Sequence, residues 1–234
     1  MKKNVLLVGE SWSSSSTHVK GFDQFFTSTW HSGATAFMAA LEDSEYAVSH
    51  MPAHEAQNNF PSTLEQLQQW DIIILSDIGA NTLLLHPDTW LKSQRTVNRL
   101  TLLHDYVAAG GSLMMIGGYL SFQGINGSAR FRNTAVEKVL PVRCLPWDDR
   151  VEVPEGCYAE CVTRHPLLEG LEGEWPWLLG YNETELHPEA ELLASVAGTG
   201  HPLLAVRHYQ AGRSLVWTSD MSAHWLPEEF SQWP

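Results

Sequence analysis

A chain of 234 residues, 44% apolar and 18% charged, is long enough to bury a substantial core and too apolar for a disordered polymer. Its formal charge of -13 opposes the Lys and Arg contacts that hold nucleic acid. No window approaches the roughly twenty apolar residues of a membrane span, so neither nucleic acid nor a membrane is expected as a partner.

The first apolar run, Asn4 to Val8, is preceded by two lysines but is too short for a signal-peptide core; it reads as a buried strand stopped by Gly9. The polar segment from Gly9 to Trp30 is well beyond the two to six or so residues usual between a strand and its helix, and its aromatics Trp12, Phe22, Phe25, Phe26 and Trp30 argue against disorder. It is expected to fold down as a lid, or else to pack against a neighbouring subunit of a homo-oligomer. Ala34 to Leu41 has helix-forming composition, and YAVSHM at 46 to 51 forms a second strand. Ser62-Thr63-Leu64-Glu65 reads as a capping box opening the helix STLEQLQQW. DIIILSDIG from Asp71 supplies the third strand, and Leu100, Leu103 and Val107 share one face of a helix that Gly110 and Gly111 terminate. SLMMIG at 112 to 117 is the fourth strand.

Short apolar strands separated by helical patterns imply βαβ crossovers. The expected fold is therefore α/β, a doubly wound, mostly parallel sheet of flavodoxin-like type, in one domain over 1–234. Beyond Cys144 the pattern shifts to turns and tryptophans, then to LLASVA (192 to 197), PLLAVRHY (202 to 209) and RSLVWTSD (213 to 220). The last two flank Gln210-Ala211-Gly212 and form a C-terminal antiparallel hairpin. HWLPEEFSQWP starts a helix just before the chain stops, so the helix that would cover the last strand is expected to be cut short. The odd set Cys144, Cys157 and Cys161 lacks C-x-x-C spacing, which gives no disulfide framework or zinc knuckle and points to a reducing cytoplasm. No metal or cofactor is implied. His86, His165, His187 and His201 each precede a proline and read as turn residues.

In open α/β sheets ligands bind beyond the carboxyl ends of the strands. The loops there carry Gly9, Glu10, Trp12 and His18 after the first strand, and Asp77 and Gly79 after the third. Gly118, Tyr119, Ser121 and Gln123 follow the fourth, and Asp220 and His224 follow the last. Glu10 suits a general base or an acceptor for loop amides, and Asp77 and Asp220 suit either pairing with His18 or His224 or capping a turn. Asp148, Asp149 and Arg150 read as ion pairs that hold the late loops.

The segment Gly117 to Gly124, GGYLSFQG, is similar to the nucleophile elbow of class I glutamine amidotransferases, with Gly117 on the first glycine, Leu120 on a position often leucine and Gln123 on the glutamine. SDIGAN resembles the glycine loop that helps build the family's oxyanion hole. GESW, LSDIGANTLLL, LPVRCLPWDDRVEVP and TSDMSAHW extend the resemblance, over nearly the whole chain, to the glutamine amidotransferase-like group. That resemblance implies a class I glutamine amidotransferase-like fold and places Tyr119 where the family carries its nucleophilic cysteine. His224 falls on the family's histidine, but Leu226 breaks the His-x-Glu pattern. A phenol of ordinary pKa near 10 replaces a thiol near 8.5, so glutaminase activity by the usual route is not expected. Two readings follow. One is a domain that binds a small polar ligand or partner at the strand ends through Gly9, Trp12, His18, Asp77, Gly79, Gly118, Ser121, Gln123 and Asp220, around Tyr119, His224 and Glu10. The other is a hydrolase of a sugar-like substrate using Glu10, Asp77 and His224; trehalose-utilisation-type proteins share the architecture.

Overall fold

The structure, a computed structural model, describes residues 2–171, 173–231 and 233. The chain runs β1 (Lys3–Gly9), β2 (Ser11–Lys20), β3 (Asp23–Ser32), α1 (Thr35–Ala40), β4 (Tyr46–Met51), α2 (Ala53–Asn59), α3 (Leu64–Leu67) and β5 (Ile72–Ser76). Next come α4 (Ala80–Leu84), α5 (Pro87–Lys92), α6 (Arg99–Ala108) and β6 (Ser112–Ile116). The late part holds β7 (Val142–Cys144), β8 (Arg150–Cys157), β9 (Ala159–Cys161), β10 (Leu178–Asn182), β11 (Thr184–Leu186), β12 (Glu191–Val196), β13 (Pro202–Tyr209), β14 (Gly212–Trp217) and the short α7 (Glu228–Ser231).

Eight strands form the central sheet in the order β4-β1-β5-β6-β14-β13-β12-β9. The first five are parallel, and their chain order, second-first-third-fourth-fifth, is one of the common doubly wound arrangements. β13, β12 and β9 extend the sheet in antiparallel fashion, with Gln210 and Ala211 making the turn between β13 and β14. The parallel strands are apolar on both faces because both are covered. Leu6, Val8, Ile73 and Leu75 face a core built with Ala56, Leu67, Leu83, Leu100, Leu103 and Val107 from the helices. Val5, Leu7 and Ile74 face the opposite layer, against Ala34, Phe37 and Met38.

Several local expectations are corrected. The capping box is Thr63 with Gln66, one residue later than the Ser62–Glu65 reading, because the Thr63 hydroxyl accepts the Gln66 amide and the Gln66 side chain returns to the Thr63 amide. The helix it opens is only four residues long. The long segment after β1 is not a lid. Its strands β2 and β3 pair over ten consecutive positions from Ser11↔Ser32 to Lys20↔Asp23, forming a hairpin whose residues from Trp12 to Trp30 are exposed. The consecutive serines 13–16 and the adjacent Phe25 and Phe26 give no period-2 pattern, so the strands are defined by their cross-strand pairing alone. The C-terminal helical start amounts to one turn, Glu228–Ser231, and residues 232 and 234, where the expected shortened helix would continue, lie outside the described residues. Three of the four histidines that precede proline act as turn residues: the rings of His86, His165 and His187 each accept the amide two residues on.

The face of α6 read from the sequence gives a direct check. Leu103 is fully buried and Thr101 on the same helix is exposed. Leu103→Ala is expected to lower unfolding stability by about 2–5 kcal/mol and Thr101→Ala by less than about 0.5 kcal/mol, measured by denaturant unfolding.

Candidate functional site

β1 and β5 lie side by side with Gly9 opposite Ser76, and each chain then leaves its strand through a left-handed residue, Glu10 at φ 46 and Asp77 at φ 44. Gly9 precedes this turn at φ 101, and its carbonyl meets the His50 ring at 2.9 Å. The Glu10 amide donates to the Ser76 carbonyl at 2.7 Å, which ties the two turns together. The Glu10 side chain is only 2% exposed, and its two oxygens accept from the Ser76 hydroxyl at 2.6 Å and the Ser222 hydroxyl at 2.7 Å. Gly33 covers this carboxylate so closely that a Cβ there would collide with both Glu10 and Ser222. Asp77 Oδ1 accepts the Leu120 amide at 2.6 Å, while Ser121 Oγ accepts the Asp77 amide and donates to the Ile116 carbonyl. Asp220, also buried, accepts the amides of Met221 and Ser222.

Three carboxyl groups thus converge from β1, β5 and β14. Burial raises the Glu10 and Asp77 pKa values, and hydrogen bonds from Ser76 and Ser222 to Glu10, and from Leu120 to Asp77, offset part of the rise. Asp220 is pushed up to about 8, first by burial and then by repulsion from Glu10 and Asp77. Three desolvated carboxylates this close cannot all be ionised, so the group holds at least one proton at neutral pH.

A second cluster stands beside the first. The Tyr119 hydroxyl donates to Glu152 Oε1 at 2.9 Å, and Trp225 Nε1 donates to Glu152 Oε2 at 2.9 Å. His224 Nε2 lies 3.7 Å from the same carboxylate, and its ring meets the Tyr119 ring edge to face at 4.4 Å between centroids. The Arg150 guanidinium sits over the Tyr119 ring at 4.8 Å, held by a two-bond pair with Asp148 that drives the Asp148 carboxyl far below its usual range. Burial and the neighbouring Glu152 both raise the Tyr119 pKa, so the residue stays a phenol. Asp77 links the clusters: it touches Leu120 in the Tyr119 loop and feels the charge of His224.

The loop carrying Tyr119 is a strand followed by a bend, but it lacks the helix of a true elbow. Between β6 and the next element the positive-φ residues are Gly118 at φ 137, Phe122 at φ 53 and Gly124 at φ 72, Tyr119 is not among them, and that next element is a single 3-10 turn at Ile125–Gly127. The strained apex that thrusts a nucleophile forward is therefore not formed at Tyr119. Asn182 fixes the bend instead, accepting the Gly118 amide at 2.9 Å and donating to the Gly118 carbonyl at 3.1 Å. Asp149 accepts from Asn182 and from the amides of Gln123 and Gly124. Asp148 thus forms the expected ion pair with Arg150, whereas Asp149 serves as a buried acceptor for backbone amides.

The structure therefore brings together Glu10, Asp77, Asp220, Ser121, Gly118, Tyr119 and His224. Trp12 borders the group, lining with Gly33 and Ser222 a cleft of about 430 Å³. Gly79 caps α4, and Gln123 bonds within its own loop at Gly127. His18 is not in the site: it stacks on Phe25 at 4.4 Å and bonds Thr27 on the projecting hairpin. Sequence reasoning missed Glu152 and Asn182, read Arg150 as structural only, and placed Ser76, Ser222 and Trp225 in the strand-end loops without giving them a role. The one available signal was position, since Ser76 and Ser222 flank residues already singled out. The cysteines stand on β7, β8 and β9, with Cys144 buried, and none is on the loop of Tyr119. Among the described residues no group of three or more His, Cys, Asp or Glu side chains is arranged to hold a metal ion. No described helix is long and apolar enough to cross a membrane.

Comparison with known proteins places this geometry in context. The chain is similar to the cytoplasmic protein STM3548 of Salmonella typhimurium, at 41% identity over 98% of this chain and 93% of that one, with a TM-score of 0.93. It is equally similar to the cytoplasmic protein STM1381 of Salmonella typhimurium LT2, at 42% identity, the same coverage and a TM-score of 0.92. A thuA-like protein of Bacteroides uniformis shares the fold alone, at 11% identity over 99% of this chain and 88% of that one and a TM-score of 0.55. No curated protein matches the chain. Residues 4–234 match one family throughout, and the chain belongs to that family, described as "Putative glutamine amidotransferase".

Proposed function

We propose that this amidotransferase-like chain has no thiol-type glutaminase activity and binds a small, hydroxyl-bearing polar ligand at the strand ends. The observation that carries the reading is Tyr119, a phenol hydrogen-bonded to Glu152, standing beside the buried acids Glu10, Asp77 and Asp220. A glutaminase needs an activated thiolate, and neither the position nor the ionisation of Tyr119 supplies one. The family's histidine partner is also rearranged, because His224 faces Glu152 from β8 and Leu226 stands two residues beyond it. Ligand class follows from charge. Glu10, Asp77, Asp220 and Glu152 outnumber Arg150, so an anion would meet repulsion, whereas hydroxyl groups can both donate to carboxylates and accept from Tyr119, His224 or a protonated acid. The names of the two Salmonella relatives support a cytoplasmic location for this chain as well.

A second reading, acid–base hydrolysis of a sugar-like substrate, draws on one observation. Asp220, held protonated to about pH 8 next to Glu10 and Asp77, is the kind of carboxyl pair that separates an acid from a base. Of the residues read as its machinery, Asp77 touches both clusters, while both Glu10 oxygens are engaged by serines.

Two experiments test these readings. Purified protein incubated with glutamine should release no ammonia above a protein-free control, and normal turnover would overturn the proposal. In a thermal-shift screen of neutral polyols, sugars and their anionic derivatives, a neutral compound at about 100 times its Kd should raise Tm by about 5–10 °C. Tyr119→Ala should abolish that shift; a full shift in the variant would remove Tyr119 from the site.

The acid group has its own signature in stability. Asp220 has a folded pKa of about 8 and an unfolded pKa near 3.9, so the folded chain binds the extra proton between those values. Stability contributed by that proton is complete below about pH 4 and is lost as pH rises towards 8; Glu10 and Asp77 act in the same direction. Asp220→Asn keeps the acceptor for Met221 and Ser222 without the charge. It should raise Tm by about 5 °C or more at pH 8 and by little at pH 4, as followed by circular dichroism.

A further inference from the structure

We propose that the β2–β3 hairpin is an association arm that docks on a second copy of this chain through Val19, Phe22, Phe26 and Trp30. Two ten-residue strands reach about 33 Å, roughly twice the 17 Å radius of gyration expected of a compact chain this long. The arm is anchored at its root, where the Ser11 hydroxyl accepts the Ala53 amide and Trp30 meets His54 edge to face. Beyond the root its aromatic residues remain open to solvent.

The two faces of the arm differ. On one, Trp12 stacks on His31 and Phe25 on His18, so each ring is partly covered by its cross-strand neighbour. On the other, Phe26 lies opposite Thr17, Trp30 opposite Ser13 and Val19 opposite Gln24, and the three apolar side chains are 71%, 51% and 67% exposed. Phe22 at the tip is fully exposed. A lone two-stranded hairpin is at best marginally stable in water, and a ten-pair ladder without a bulge or proline leaves two long unguarded edges. Such an arm needs a cover, and the body of the same chain does not provide it.

A second copy fits the observations. Val19, Phe22, Phe26 and Trp30 expose on the order of 600 Å² between them, close to the roughly 800 Å² that each partner contributes to a stable interface. Charge points the same way. The chain carries -13, yet residues 11–32 hold only Lys20 and Asp23, which sit opposite each other at the tip. A locally neutral, aromatic surface is where two acidic copies can approach without repulsion, and it has the composition of an interface core. Because every copy carries the same arm, a contact of arm face on arm face is self-complementary and closes as a dimer.

Sedimentation velocity of the full chain between about 1 and 100 μM should show a concentration-dependent rise above the single-chain mass. Val19→Thr combined with Phe26→Ser, which leaves the core untouched, should weaken association by about tenfold or more without changing the melting of the body. In the unmutated chain, hydrogen exchange of amides in residues 11–32 should slow as concentration rises, a readout that needs no variant. A wild-type chain that stays monomeric across the range would overturn the proposal, as would undiminished association of the double variant or exchange in the arm that ignores concentration.

Discussion

Two neighbouring strands that end on left-handed residues determine the rest of this site. Left-handed backbone costs an L-residue about 1–2 kcal/mol, and here it is adopted by Glu10 and Asp77, one residue past the paired ends of β1 and β5. Both residues could turn outward to water. Instead the turn aims a carboxyl group into the protein, adding desolvation to strain. What offsets these costs is local and specific: the Ser76 and Ser222 hydroxyls on Glu10, the Leu120 amide on Asp77, and the bond from the Glu10 amide to Ser76 that couples the two turns. Strain of this kind persists only where the surroundings over-determine it, and it marks functional positions more often than structural ones.

The second cluster is built differently. Glu152 is half-exposed, yet it is the point where Tyr119, Trp225, His224 and Arg150 meet, so its carboxylate organises side chains from three separate segments. Buried Asp149 and Asn182 do the corresponding work for the backbone, satisfying the amides of Gly118, Gln123 and Gly124, which no helix takes up. A nucleophile elbow would discharge its amides into a helix and leave its apex side chain exposed. Here the amides are spent on side-chain acceptors, and the aromatic ring of Tyr119 is overlain by Arg150 and met by His224.

How much of this was legible in the sequence depends on the range of the interaction. The runs at 4 to 8, 72 to 76 and 112 to 116 announce apolar strands of a covered parallel sheet and YAVSHM at 46 to 51 a further strand, while the order of the strands came only with the structure. Placing Glu10, Asp77, Tyr119 and Asp220 together required only the rule that ligand sites lie beyond strand ends. Glu152 and Asn182 escaped because they lie on β8 and β10, short strands outside the main sheet whose pairing joins positions some thirty residues apart with no period to betray it. The hairpin escaped for a different reason. Ser13 to Ser16 reads as a short low-complexity patch, and only the register with Thr27 to Trp30 turns it into a strand.

The bend that carries Tyr119 meets the acid group at one bond, from the Leu120 amide to Asp77. Tyrosine carries a large apolar body, and the Tyr119 ring packs against His224 and Trp225 at centroid distances of 4.4 and 5.8 Å. Exclusion of water is what holds the pKa values of Glu10, Asp77 and Asp220 high, since burial is the first cause of each shift. Their cover comes from the strand ends themselves: Ser76, Ser222 and Gly33 over Glu10, the Leu120 amide on Asp77, and the Met221 and Ser222 amides on Asp220. The phenol at this bend is meanwhile engaged on its other side, bonded to Glu152, overlain by Arg150 and met edge to face by His224.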